Sequence, residues 1–265
     1  MPPQAPKLKP IVEGQDQAET LLFVQGWPDD HTLWDELVAL LRDRYRCVRV
    51  DMPNYGDAEQ QRWGYSHEQM VLGLAALVRQ VSPGRPVTLV AHDWGAYWGY
   101  ALHHRHPELV KRIVGLDVAP HFQPSPLEGL FIATYQSWLM AAFVAGGPVG
   151  DWMTRGFARV AGTPKQGAAL HASMNYPYLY TLRDIVTGRI RRTFQGYWPD
   201  IPLLFVYGEN KPGRFHSQRW LDHVRRRAGN EVVALKESGH WVTNDPQLSP
   251  LVRDWLERTE PALAH

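Results

Sequence analysis

The sequence predicts an α/β fold, a mostly parallel central sheet flanked by helices, with a helical insertion between two of its strands. Three observations predict it. Short, nearly continuous apolar runs alternate with amphipathic stretches, the pattern of strands buried on both faces. One such run, Val87-Thr88-Leu89-Val90-Ala91, breaks at His92-Asp93-Trp94-Gly95 and turns at once into a helix. Strand signals then cease from about residue 120 to 198 and resume at Ile201.

The first clear strand is Thr20–Val24, ending at Gln25-Gly26-Trp27-Pro28. A helical pattern follows at Trp34, Leu37, Leu40 and Leu41, mostly at spacings of three and four. Cys47–Val50 forms the next strand and the turn-rich stretch Asp51–Asp57 closes it. A helix runs from about Ser66 to Val81, with Ser66 suited to its N-cap. After the strand Val87–Ala91 come a helix over Ala96–His106 and a strand over Arg112–Leu116. Residues 120–198 are helical in composition and rich in aromatics, among them Tyr135, Trp138, Tyr176, Tyr178 and Tyr180. Strands return at Ile201–Tyr207 and Glu231–Leu235. The expected organisation is a core of residues 1–119 and 199–265 with a lid of residues 120–198.

Composition limits the function classes. The 265 residues fit one large domain, or a core with a modest insertion. Lys and Arg number 28 against 27 Asp and Glu, so a charge of +1 offers no broad footprint for nucleic acid or an anionic membrane. The run Arg225–Arg227 closes a helical pattern, where cations complement the C-terminal dipole. A single cysteine, Cys47, excludes an internal disulfide framework. No charged-then-apolar leader is visible and no apolar stretch approaches 18 residues, so a cytoplasmic protein without a membrane span is expected. The expected partner is a small apolar or aromatic substrate, and the chain could act as monomer or homodimer.

The break after Ala91 carries the chemistry. A strand that stops at a sharp turn and re-enters a helix projects the central side chain above the sheet, and glycine is needed where backbones approach closely. The central residue is Asp93, whose structural alternative is a helix N-cap without chemistry. The helix N-terminus beneath it favours an ionised carboxylate. Such a nucleophile forms an ester with an alkyl carbon, and a histidine must then activate water against that ester. Ser238-Gly239-His240-Trp241, after the last strand, supplies His240. Asp117 ends the strand after the elbow helix and can orient that imidazole, with Glu209 as second choice. Topology pairs the backbone N–H groups of Trp27 and Trp94 as an oxyanion hole. His103, His104 and His106 crowd one helix end without a carboxylate at metal-ligand spacing.

The elbow HDWGA, the loop QGWPDD and the terminal GHW resemble the epoxide hydrolase and haloalkane dehalogenase branch of the α/β hydrolases, over nearly the whole chain. In that fold the acid commonly sits three residues past the glycine of Tyr207-Gly208, and this chain has Lys211 there. The resemblance implies the alternative acid position at Asp117, and hence a triad of Asp93, His240 and Asp117. It also implies two lid tyrosines that protonate the epoxide oxygen: Tyr135, in Tyr135-Gln136-Ser137-Trp138, and Tyr180, favoured over Tyr176 and Tyr178. A dehalogenase would instead hold halide on Trp94, with Trp138 as a second donor; Trp27 replaces the asparagine of many such enzymes. Trp94 and Tyr97 stand where fluoroacetate dehalogenases carry arginines. An epoxide hydrolase giving a diol, needing no cofactor or metal, is therefore expected. The alternatives are a haloalkane dehalogenase, an esterase or lactonase, and a non-catalytic homologue that binds a ligand under the aromatic lid.

Overall fold

The computed structural model describes residues 4–259. Its strands are β1 (Pro10–Gly14), β2 (Thr20–Val24), β3 (Arg46–Val50), β4 (Val87–His92), β5 (Val110–Leu116), β6 (Leu203–Gly208) and β7 (Glu231–Leu235). They form one sheet in the order β1-β3-β2-β4-β5-β6-β7, parallel throughout except for the β1–β3 pair. The sequence carries no clear signal for β1. The strand opens on a proline, is half-exposed, and borders the sheet on one side only, so it lacks the apolar run that marks the inner strands.

The helices are α1 (Asp35–Leu41), α2 (His67–Val81), α3 (Trp94–Arg105), α4 (Pro126–Ala145), α5 (Gly147–Ala161), α6 (Tyr176–Val186), α7 (Arg189–Thr193), α8 (Gln218–Arg226) and α9 (Leu248–Thr259). Side chains of the strands alternate between two cores. Leu22 and Val24 of β2 and Leu203 and Phe205 of β6 join the core that contains α2, α3 and α8. Leu21, Phe23, Leu204 and Val206 join the other, with Trp34, Leu37 and Leu41 from the α1 region and Val252, Trp255 and Leu256 of α9. Burying each of these large side chains stabilises the fold by about 1.5–3 kcal/mol before the cost of ordering it. Fully buried Arg112 ties β5 to α9 by donating to Leu256 O at 2.8 Å and Thr259 Oγ1 at 2.7 Å, while Glu19 neutralises it at 2.8 Å.

Two helix starts show how the sequence sets boundaries. Ser66 caps α2 by accepting from Gln69 N, and the Gln69 side chain accepts from Ser66 N, so two otherwise unpaired donors are satisfied. Ser125 and Glu128 repeat the device at α4. Helices α4 to α7 all lie between β5 and β6, in the stretch where strand signals vanish. Helix α4 bears on one expectation. It runs 20 residues with a mean hydropathy of 1.2 over its 18-residue window, long and apolar enough by composition to cross a membrane. Glu128, Gly129, Thr134, Gln136 and Ser137 break the apolar run, which is why no continuous stretch shows in the sequence, and the mean is carried by the aliphatic and phenylalanine residues between them.

Candidate active site

Asp93 sits between β4 and α3 at φ 52° and ψ −125°, a backbone conformation that a non-glycine residue adopts only under strain. The strain lifts its carboxylate over the carboxyl edge of the sheet. The turn closes tightly because Gly95 has no side chain: a Cβ there would lie 2.1 Å from Val24 O. Gly26 has the same role opposite, since its Cβ would lie 2.3 Å from Asp93 Oδ2. Trp27 N donates to Asp93 Oδ2 at 2.7 Å, and the backbone N–H of Trp94 also donates to this carboxylate. Both N–H groups expected from topology thus converge on Asp93. The Trp27 indole points away and donates to buried Asn175 at 2.7 Å, and Asn175 donates in turn to Thr154 at 2.7 Å.

His240 lies beyond β7 with its Nε2 3.5 Å from Asp93 Oδ1. Its Nδ1 is 2.6 Å from Asp117 Oδ2. Asp117 leaves β5 at φ 64° and is fully buried. Its other oxygen, Oδ1, accepts from Gly208 N at 3.1 Å and from the Lys211 ammonium, which also donates to Gly208 O. Lys211, at the commoner acid position, thus serves as the counter-ion of Asp117. Glu209 is exposed at the end of β6, whereas the imidazole bond is taken by Asp117. His92 packs under the site, its ring centroid 4.7 Å from that of His240, and its Nε2 lies 2.9 Å from His240 O.

The electrostatics follow from these contacts. Burial opposes charge on His240, but its bonds to Asp117 and Asp93 outweigh burial and raise the imidazole to about 9. Burial would raise Asp93, yet its bond to His240 and the cationic field there hold it below the usual carboxylate range. Burial likewise fails to raise Asp117, which His240 and then Lys211 keep low. At neutral pH, Asp93 is therefore ionised beside a protonated His240. Asp29 is a buried acid with little mark in the sequence. Burial pushes it up to about 7, partly offset by the Trp241 indole, which donates to it at 2.8 Å; the Asp93 charge pushes it further up. The one signal in the sequence was its place in QGWPDD, two residues beyond Trp27.

Two cavities of about 620 and 740 Å³ meet at Asp93, Tyr135 and Phe215. The first extends past Trp94, Tyr97, Ile132 and Phe194; the second holds Trp27, Phe157, Tyr178 and His240. Tyr178 stands edge-on to Trp94, with ring centroids 5.5 Å apart, and 6.2 Å from Tyr135. Burial raises both phenols, and the field of Asp93 raises them further, so both stay protonated. Tyr180 lines neither cavity and lies under the Arg183 guanidinium at 4.6 Å. The second tyrosine at the site is thus Tyr178, because residues two apart on a helix point to opposite sides. Trp138 is turned away as well. It is exposed and donates to Met153 O at 3.1 Å.

A strained aspartate elbow, a histidine after the last parallel strand and two converging backbone donors define a hydrolase site on an α/β sheet. The chain belongs to the alpha/beta hydrolase family, whose model matches residues 21–249, and it has the α/β-hydrolase fold. It is similar to a cis-3-alkyl-4-alkyloxetan-2-one decarboxylase of Xanthomonas campestris, at 26% identity over 93% of this chain and 91% of that protein. An epoxide hydrolase of Neurospora crassa is 39% identical over 109 residues, 40% of this chain and 32% of that protein. A haloalkane dehalogenase loop variant from Bradyrhizobium elkanii superposes with a TM-score of 0.70 at 18% identity, covering 97% of this chain and 95% of the other, a likeness of fold alone.

Proposed function

We propose that the protein is an epoxide hydrolase that works through an ester on Asp93. The observation that carries this reading is that Tyr135 and Tyr178, edge to face at 6.2 Å, line one cavity with Asp93, whose carboxylate is 3.5 Å from His240. Asp93 Oδ1 attacks a ring carbon of the epoxide, the C–O bond breaks, and the leaving oxygen takes a proton from a phenol. Esterification cancels the Asp93 charge, one of the groups that hold His240 protonated, so the imidazole gives its proton back to the phenolate left by ring opening and falls towards the range of a base. Its Nε2 then takes a proton from water, which attacks Cγ of Asp93. The Trp27 and Trp94 N–H groups hold the resulting oxyanion; collapse expels the product alkoxide, which takes the imidazolium proton to become a diol, and the proton of the new Asp93 carboxyl passes to His240. The inserted helices act as a lid that brings both phenols over the nucleophile.

Halide release is less well supported, because Trp138 faces outward and the Trp27 indole is bound to Asn175. A second reading rests on the two cavities that meet at Asp93 and on the Xanthomonas campestris relative. Both suit a strained ring with substituents on adjacent carbons, whether an internal epoxide or a dialkyl oxetan-2-one. A panel of 1,2-disubstituted epoxides and oxetan-2-ones tests both readings. Diol from the epoxides, lost in Asp93→Asn, is expected. Carbon dioxide and alkene from the oxetanones, with no diol from any epoxide, would replace the first reading by the second.

A further inference from the structure

The outer side of α4, α5 and α6 carries far more apolar exposure than the rest of the described molecule. Leu127 is 77% exposed, Trp152 66% and Val160 88%, and Leu130, Val149 and Val186 are also mostly exposed. Exposed positions on α4 recur at spacings of three and four, and its only charged residue, Glu128, is half-buried against Arg214. The Trp138 indole, bound to Met153 O, carries this surface from α4 onto α5. Monomeric proteins rarely leave such a surface uncovered.

Charge identifies what covers it. Residues 126–198 hold seven Lys or Arg against three Asp or Glu, a net of +4 in a chain whose total is +1. Two cations border the apolar surface: Arg159 precedes Val160, and Arg62, outside that stretch, stacks on exposed Trp63 at 4.5 Å while donating to Val144 O at 3.2 Å. Two copies meeting through such a face would set like charges against each other, whereas an anionic surface complements it. Both cavities reach this side, because Phe131 and Val160 line one and Ile185 lines the other, all three exposed.

We propose that this face docks on a membrane surface containing anionic lipid, so that apolar substrates pass from the bilayer into the two cavities. Exposed tryptophans and aliphatic side chains enter the headgroup boundary, and the arginines pair with lipid phosphates. The chain-wide balance of charge conceals this asymmetry, which is why the sequence suggested no membrane partner. Docking stands apart from the ester chemistry, while delivery of substrate rests on it.

Flotation of the full chain, without substrate, on phosphatidylcholine vesicles with and without phosphatidylglycerol tests the docking. The protein is expected to float with the anionic vesicles, less so at high salt, and weakly with the neutral ones. Leu130→Glu with Trp152→Glu should lower partitioning roughly tenfold or more. Arg159→Gln should lower it only on anionic vesicles. Turnover of a short, water-soluble epoxide should persist in these variants, since none of the three residues lines the cavities. Absence of binding, equal binding to both vesicle types, or a dimer in sedimentation equilibrium that the Leu130→Glu, Trp152→Glu variant dissociates would each overturn the proposal. If vesicles bind but no epoxide is turned over, docking stands and the assigned reaction fails.

Discussion

Lys211 donates to Asp117 through the one carboxylate oxygen that His240 leaves free. The site thus holds two anions, Asp93 and Asp117, and two cations, Lys211 and protonated His240, all largely buried. Lys211 balances the pull of Asp117 on the imidazole. Lys211→Met should leave that pull unopposed, so the pH at which His240 becomes a base moves upward. Single-turnover ester hydrolysis followed against pH checks this. Because the change leaves buried Asp93 and Asp117 sharing one cation, His240, unfolding stability should also fall, by up to about 3–5 kcal/mol, with partial recovery in Lys211→Arg.

The same pairing makes stability depend on pH. His240 is raised to about 9 from an ordinary 6.5, so the folded state holds its proton more tightly than the unfolded chain does. Its contribution is complete below about pH 6.5 and is lost as pH climbs through 9. Thermal melts of the protein and of His240→Gln should therefore differ most at pH 6 and converge by pH 10. The difference at its largest should be on the order of 2–3 kcal/mol.

Asp29 acts with the opposite consequence at neutral pH. Its pKa of about 7 against 3.8 means that the folded state resists ionisation. Any stability from this carboxyl is complete below pH 3.8 and is lost as pH rises to 7. Asp29→Asn keeps an acceptor for the Trp241 indole and removes the cost of charging a buried acid. It should raise the melting temperature at pH 8, by on the order of 1–3 kcal/mol in stability, and leave it unchanged near pH 4. Calorimetry at the two pH values distinguishes these outcomes.

The two phenols predict a kinetic contrast. Tyr135→Phe and Tyr178→Phe should each slow the ring-opening step about 100-fold, as removal of a general acid does. Tyr180→Phe should change it less than about twofold, because that side chain lines neither cavity. Pre-steady-state measurement of ester formation separates this from any effect on hydrolysis.

These residues also show what the sequence could reveal. The strand pattern Val87–Ala91 and Gly95 after Asp93 placed the elbow, and the ends of β5 and β7 placed Asp117 and His240, because strand ends converge on one edge of a parallel sheet. Tyr176, Tyr178 and Tyr180 were harder. Their spacing puts the first and third on one helix face and Tyr178 on the other, but which face meets the core depends on Trp98, against which Tyr176 stacks at 6.4 Å. The Lys211–Asp117 pair spans 94 residues and left no local signal. Nor does Asp29 look unusual until Trp241 and Asp93 surround it.

The central claim is that Asp93 carries the substrate as an ester. Intact-mass and peptide analysis of His240→Gln after incubation with a 1,2-disubstituted epoxide tests it most directly. The prediction is an adduct with the mass of the whole epoxide, located on Asp93 and missing from the variant that also carries Asp93→Asn. An adduct on another residue, or diol formed by His240→Gln without any adduct, would contradict it.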